Sequence, residues 1–344
     1  MPKPTKKHTQ RAKLLRTDLE RHNHSYYVVA KPEIPDMEFD ALLAELQDLE
    51  EKFPDLRTPN SPTQRVGGQP IEGFETVDHA VPMLSIDNTY NADELRAFDE
   101  RVRKGLDGER PSYVAELKID GVSMSLTYEK GELLRACTRG DGSRGDDVTH
   151  NVRTIYSVPL TLQGSPPARL EVRGEVYMTQ EELKRLNVIR EDAGDEPYAN
   201  PRNTTAGTLK LLDRKQVAER NLAIFVYDIA PLPNTDQVTH EETLERLKSY
   251  GFATNEHAKP CPTIDDVIAY CEEWDTKRNN LDYETDGVVI KVNSPEHRSR
   301  LGATSKAPRW VIAFKFPAQV STTILEGISV QVGKSGALTP VAEL

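Results

Sequence analysis

Four segments of the chain, 113–119, 170–178, 286–292 and 310–316, alternate apolar side chains with charged ones at a period of two. Successive side chains of a strand point to opposite faces, so such segments fold as strands that are apolar on one side and ionic on the other. The sharpest instance is ELKIDG, 116–121. Val114, Glu116, Lys118 and Asp120 share one face, while Tyr113, Ala115, Leu117 and Ile119 make an apolar second face. In 170–178, Leu170, Val172, Val176 and Met178 oppose Glu171, Arg173, Glu175 and Tyr177. In 286–292, Val288, Ile290 and Val292 oppose Val289 and Lys291; in 310–316, Ile312, Phe314 and Phe316 oppose Val311, Ala313 and Lys315. A sheet with one wet face accounts for each strand singly. Lysines embedded in apolar sequence are nevertheless costly to bury without a partner. A phosphate would suit Lys118, Lys291 and Lys315 together. With no phosphate, Lys118 reads as a strand lysine paired with Glu116 or Asp120.

A chain of 344 residues exceeds the usual single domain. Its longest apolar runs are too short to span a bilayer, and the basic start MPKPTKKHTQRAKLL has no apolar signal core, so a cytoplasmic protein without membrane contact is expected. Cys137, Cys261 and Cys271 include no CxxC pair, which leaves neither a disulfide framework nor a zinc site in view. The net charge of −11 argues against wholesale wrapping of nucleic acid. The locally basic stretch 297–315 reads as a solvated face on charge alone.

Residues 9–53 read as two helices. The first carries Leu14, Leu15, Leu19 and Tyr26. AKPEIPD, 30–36, interrupts. Asp36 then caps a second helix with Phe39, Leu42, Leu43, Leu46, Leu49 and Phe53 on one face, stopped by Pro54. A proline-rich connection, 57–70, has the composition of a linker. From 73 to 318, strands are expected at 113–119, 123–128, 170–178, 222–228, 286–292 and 310–316, with helices at 92–105, 179–190, 240–250 and 264–278. A strand pattern with a Gly-rich turn follows from 319 to 344 and stops in mid-pattern. The fold class is α+β: a helical module, 1–72; a mixed domain with antiparallel sheets, 73–318; and the beginning of a further domain, 319–344.

ELKIDG, TRGDG (138–142), EVRGEVYM (171–178), DGVVIK (286–291) and AFKFP (313–317) resemble, in order, the motifs of the covalent nucleotidyltransferases: DNA ligases and capping enzymes. PEIPDMEFD (32–40), SPTQRVG (61–67), VPMLSIDN (81–88), NPRNTTAG (200–207) and GALTP (336–340) resemble the NAD⁺-dependent bacterial DNA ligases specifically. A lone KxDG is weak; five ordered motifs plus a helical module are strong. The resemblance covers nearly the whole chain. It implies a helical module for nicotinamide mononucleotide (NMN), an adenylation domain and the start of an oligonucleotide-binding (OB) barrel.

What the resemblance implies chemically is a lysyl-AMP enzyme. Lys118 attacks the α-phosphorus of NAD⁺ and NMN leaves; the adenylate passes to the 5′-phosphate of nicked double-stranded DNA, in replication and repair. A free lysine, with a pKa of about 10.4, is neutral in only roughly one molecule in 2,500 at pH 7. Neighbouring cations, from Lys291, Lys315 and Mg²⁺, can shift that balance. Asp120 orients Lys118. Lys291 and Lys315 match α-phosphate contacts, Arg139 and Glu175 match ribose contacts, Glu116 an adenine contact and Tyr227 an adenine-stacking ring. Arg202 and Arg278 match further family arginines; Ser85, Ile86 and Val289 line the pocket; Asp286 helps place magnesium. Tyr26, Tyr27, Asp36, Phe39 and Asp40 match the NMN site. Phe39 stands where the family usually has tyrosine, and Lys210 where an arginine is frequent.

Complete members continue through an OB barrel, a zinc finger and helix-hairpin-helix repeats. The chain is therefore expected to act as a monomer that adenylates itself and seals nicks poorly. The competing readings are an ATP- or GTP-using nucleotidyltransferase, which shares the lysine motif but not the 1–72 module, and a non-catalytic nucleic-acid-binding or interaction module. A dehydrogenase predicts a GxGxxG directly after the first strand, and no such motif stands in that context here.

Overall fold

The computed structural model describes residues 3–29, 31, 33–65, 72–232, 237–317, 323–332 and 336–343, and for Asp36 the main chain alone. Helix α1 (Lys6–Tyr27) starts at a reciprocal cap between Thr5 and His8. It buries Ala12, Leu15 and Leu19 against Leu46 of α2 (Asp36–Lys52), whose Phe39, Leu42, Leu43 and Leu49 pack around them with Phe53. The buried stripe is narrower than its apolar residues suggested. Leu14 and Tyr26 are 58% and 48% exposed. Pro35, not Asp36, occupies the cap position of α2, and Asp36 is its first helical residue. Phe53 closes the helix and Pro54 starts a 3₁₀ turn.

The connection after α2 is anchored as far as the structure describes it. Ser61 and Arg65 are buried, and the hydroxyls of Ser61 and Thr63 donate to Glu50 of α2. Residues 66–70 of the expected linker lie outside the described residues.

The elements that follow are β1 (Thr76–Asp78), β2 (Asn88–Thr89), α3 (Ala92–Gly105), β3 (Tyr113–Ile119), β4 (Val122–Glu129), β5 (Glu132–Thr138), β6 (Arg144–Asp146), α4 (Thr149–Val152), β7 (Arg169–Tyr177) and α5 (Gln180–Ala193). Then come α6 (Pro201–Leu209), α7 (Arg214–Ala218), β8 (Ala223–Ile229), α8 (His240–Ser249), β9 (Lys259–Cys261), α9 (Ile264–Lys277), β10 (Thr285–Val292), α10 (Pro295–Leu301) and β11 (Val311–Lys315). All six expected strands and four expected helices are present. Short elements without a clear apolar period, among them β5, α6 and α10, join them.

Two sheets organise the domain. One has the order β2-β11-β10-β3-β9, antiparallel except for the β2–β11 pair; the other is an antiparallel sheet of order β5-β4-β7-β8. The apolar face of the first, Tyr113, Ala115, Leu117, Ile119, Val288, Ile290 and Ile312, packs on Leu95, Phe98 and Val102 of α3 and Val267, Ile268 and Cys271 of α9. The second sheet turns Met124, Leu126, Val172, Val176, Ile224 and Val226 into a separate core. The ionic face of the first sheet meets the remaining face of the second, with Ser123, Glu175 and Tyr227 lining the junction. Tyr177, Phe225 and Tyr283 close one end as an aromatic cluster, ring centroids 4.8–5.5 Å apart.

Strands β12 (Gly327–Val332) and β13 (Leu338–Glu343) form an antiparallel hairpin with Ile328, Val330, Val332 and Leu338 exposed. Residues 333–335 of the Gly-rich turn between them lie outside the described residues. Among the described residues, no helix is long and apolar enough to cross a membrane.

Candidate active site

Three strands set up the central cluster. Lys118 on β3 pairs with Gly287 on β10, which pairs in turn with Lys315 on β11. Two lysines thus flank a residue with no side chain. Asp286 should by strict alternation point to the opposite face, with Val288. A β-bulge between Thr285 and Gly287 breaks the alternation and turns it to the lysine side. Its carboxylate lies 3.2 Å from the Lys118 amine and accepts a short hydrogen bond from Lys315. All three side chains are about a quarter exposed. The single Thr285 hydroxyl proton is shared between the Lys118 and Gly287 carbonyls, at 2.7 and 3.0 Å from Oγ1.

Asp120 stands apart from Lys118 in this structure. Strand β3 ends at Ile119, so Asp120 has left the pleat and pairs with Arg202 of α6 at 2.8 Å; Asp286 is the carboxylate on Lys118. Lys291 also stands apart from Lys118 and Lys315. Lys291 lies four residues along β10 from Gly287, about 13 Å at strand rise. It pairs with Glu116 at 2.7 Å, donates to the Tyr227 carbonyl at 3.1 Å and stands 5.0 Å over the Tyr227 ring.

Glu116 and Lys291 are both nearly fully buried, and His240, the first residue of α8, completes their group with Nε2 2.5 Å from Glu116 Oε1. Burial pushes the Glu116 carboxyl up, but the Lys291 and His240 contacts outweigh it and hold it down at about 2. Burial, then the Lys291 charge, keeps His240 below the usual imidazole range.

Across the junction, Glu175 on β7 is pushed up to about 7 by burial, against the pull of Lys118 and Arg202. Tyr227 on β8 shares a 3.0 Å hydrogen bond with Ser123 of β4. Arg139 is exposed on a tight turn. Gly140 there has a positive φ of 56° and a Cβ would lie 1.9 Å from the Arg144 carbonyl, so glycine is required. The 81–86 segment is tied in by Arg173, which donates to the Val81 and Pro82 carbonyls at 2.9 and 3.0 Å. Ser85 is exposed and Ile86 half-buried on that segment; Val289 is half-buried opposite Glu116. Arg278 lies over Phe316 at 4.7 Å and donates to the Pro317 carbonyl, and Lys210 pairs with Asp146 at 2.8 Å.

The helical module docks along β5 and the 153–162 loop. Arg65, 3% exposed, donates to the carbonyls of Arg153, Ile155 and Val158 at 3.0–3.1 Å. Arg153 answers by donating to the Pro59 carbonyl at 2.8 Å. Tyr27 stacks on Tyr156 at 4.7 Å and 12°, and Tyr26 leans on Tyr27. Phe39 belongs to the helix-pair core, and Asp40 is exposed. Among the described residues, no group of three or more His, Cys, Asp or Glu side chains is arranged to hold a metal ion.

The amino-acid sequence matches a known family. The NAD-dependent DNA ligase adenylation domain covers residues 71–319 of the chain. The chain belongs to that family. The DNA ligase-like N-terminal NAD⁺-binding domain matches residues 5–67. The sequence is 54% identical over 334 residues to a DNA ligase of Fervidobacterium nodosum, an alignment covering 97% of this chain and 48% of that protein. It is 52% identical over 330 residues to a DNA ligase of Solibacter usitatus, covering 96% and 50%. The chain spans about half the length of these curated relatives.

Within the ligase adenylation domain, sequence reasoning missed His240, Ser123, Arg173 and the gap at Gly287. Thr239 and Glu242 form a capping box that marks where α8 starts, but nothing local says that the next residue is buried against Glu116. The other three depend on pairings remote in sequence.

Proposed function

We propose that this chain is the NAD⁺-consuming charging unit of a DNA ligase, with 1–72 the NMN-binding module, 73–318 the adenylation domain and 319–344 the opening of an OB-fold domain. The observation that carries the reading is the Lys118–Asp286–Lys315 row across Gly287, bordered by Glu175 and Tyr227. Lys118 Nζ forms a bond to the α-phosphorus of NAD⁺; the bond to the NMN oxygen breaks and NMN leaves with the electron pair, giving lysyl-AMP. Lys118 must shed a proton to attack, and Asp286, itself held by Lys315, is the carboxylate within 3.2 Å. Lys315 supplies the fixed positive charge such a transfer needs.

We assign Lys291 to the base end with Glu116 and Tyr227, in place of the α-phosphate; its contacts with those two residues support this. Arg139 and Glu175 take the ribose. Ser85, Ile86 and Val289 line the pocket, and Arg202 and Arg278 serve the phosphate-bearing substrates. Tyr26, Tyr27, Asp36, Phe39 and Asp40 bind the NMN half. Asp286, whose buried Oδ1 takes no hydrogen bond although the Lys118 amine lies 3.2 Å away, is the side chain that would share a magnesium ion with substrate phosphates, and the ion would neutralise charge on their oxygens. The adenylate then goes to the 5′-phosphate of nicked DNA in cytoplasmic replication and repair, with the protein acting as a monomer.

The test is to incubate the chain with Mg²⁺ and either NAD⁺ or ATP and weigh it. A gain of one adenylyl group with NAD⁺ alone, lost in Lys118→Ala, is the expected result. Labelling by ATP alone, or by neither, refutes the proposal.

A further inference from the structure

His240 is the one histidine of the junction, and it is 0% exposed. Its place is fixed from both ends of the chain around it. The His240 amide donates to Oδ1 and to the carbonyl oxygen of Asn293, two residues past Lys291 on the same run of chain. The Asn293 side-chain amide in turn donates to Glu241 at 2.5 Å. Helix α8 is thereby clamped to the strand that carries Lys291, and its first side chain is driven into the junction.

A carboxylate only accepts, so the 2.5 Å contact with Glu116 places the proton of His240 on Nε2, and the Lys291 ammonium 3.1 Å from that nitrogen is then a contact between two donors. Nδ1 is then the lone-pair nitrogen, and it is buried without a partner. Lys291 donates to the same oxygen, Oε1, that His240 engages. Both protein donors therefore converge on one oxygen of Glu116, and no hydrogen bond among the described residues engages Oε2. An acceptor held in this way is matched by a donor on the ligand. On adenine the exocyclic donor is the 6-amino group; hypoxanthine offers an oxygen there and would face the carboxylate with two acceptors.

We propose that His240 is a positioning residue for base selection: by donating to Oε1 it fixes the Glu116 carboxylate so that Oε2 accepts from the 6-amino group of the dinucleotide's adenine. This rests on the function proposed above. The neutral imidazole suits the task, because a charged one would compete with Lys291 for the same carboxylate.

The experiment measures self-adenylation of the 344-residue chain with NAD⁺ and with nicotinamide hypoxanthine dinucleotide, alongside melting temperature. A hydrogen bond to a charged group corresponds to roughly tenfold or more in affinity, so His240→Ala should raise the KM for NAD⁺ about tenfold and narrow the adenine-to-hypoxanthine preference by a similar factor. The maximal labelling rate should stay within about threefold, because Lys118 and Lys315 are untouched. His240→Gln, whose amide can donate to Oε1, should restore both quantities. If the alanine variant does not melt cooperatively, His240→Asn, one carbon too short to reach, takes its place with the same expectation. An unchanged KM and preference in the alanine or asparagine variant overturns the assignment. So does a folded glutamine variant as impaired as alanine, which would make the role one of packing. A wild-type chain that NAD⁺ does not label overturns both this inference and the function beneath it; a labelled wild type with an indifferent His240 removes this inference alone.

Discussion

Gly287→Ala is the substitution that most directly tests how the lysine row is built. A Cβ at Gly287 would lie 2.0 Å from the Phe314 carbonyl oxygen, 3.0 Å from its carbon and 3.2 Å from Lys315 Cα. All three atoms are backbone, so no rotamer change relieves the clash. The carbonyl would have to retreat by more than about 1 Å to reach ordinary contact, and β11 would move with it. Overpacking of this kind costs about 1–3 kcal/mol, and a weakened ladder hydrogen bond about 1 more. For a domain of this size, a total of about 2–4 kcal/mol lowers the melting temperature by roughly 4–16 °C. Lys315 sits directly across from Gly287, so its amine shifts too, and a misplacement near 1 Å can slow a positioned reaction about 100-fold. Calorimetry and the mass-shift assay read the two effects separately. Gly207→Ala is the control: that site lies in α6 with nothing within 4 Å of a Cβ, and helix propensity predicts a gain of about 0.5–1 kcal/mol. A Gly287→Ala chain that melts and labels like the wild type would refute the geometry of the row.

Two further outcomes follow from buried charge. Glu175, with a folded pKa of about 7 against 4.5, holds its proton more tightly folded than unfolded; this lowers stability progressively as pH rises from 4.5 to 7, by about 3 kcal/mol above pH 7. Glu175→Gln should therefore melt several degrees higher than the wild type at pH 8 and converge with it near pH 4.5, and a pH-independent difference would refute this. Arg65→Met leaves the carbonyls of Arg153, Ile155 and Val158 without their donor and should cost about 3 kcal/mol or more, read as a lower urea midpoint with faster hydrogen exchange in α1. An unchanged midpoint would mean that the module is held by something other than Arg65.

Much of the fold could be read from period and punctuation. Strands β3, β7, β10 and β11 stood out because each pairs an apolar face with an ionic one, and their observed ends fall within about two residues of expectation. Helix α6 did not stand out, although Asn200 caps it and Pro201 opens it. Its buried positions are Pro201, Thr204, Thr205, Thr208 and Leu209, and the three threonine hydroxyls bond back to the carbonyls of Asn200, Pro201 and Thr204. A polar side chain satisfied by its own helix is buried without an apolar signature. The opposite error occurred in α1, where an apolar stripe was read as wider than one partner helix can cover.

The pairings around Lys118 were not legible in the sequence, and β10 shows why. Alternation assigns a face from the parity of sequence position alone. Parity places Lys118 with Asp120 and sends Asp286 to the core beside Val288. Both inferences hold only while the pleat is unbroken. Strand β3 ends one residue before Asp120, which frees that carboxylate to pair with Arg202. The bulge at Thr285/Gly287 shifts the count by one and brings Asp286 around to Lys118 and Lys315. The single Thr285 hydroxyl proton is then shared between the Lys118 and Gly287 carbonyls, beneath the lysine. A bulge leaves no period in a sequence, since it is defined by a partner strand more than 160 residues away, as the Lys118–Asp286 separation shows. The exchange of acids on Lys118 is therefore a tertiary event. Gly287 is the point at which sequence and site meet: it must be glycine for β11 to lie close, and its closeness is what sets two ammonium groups on one carboxylate.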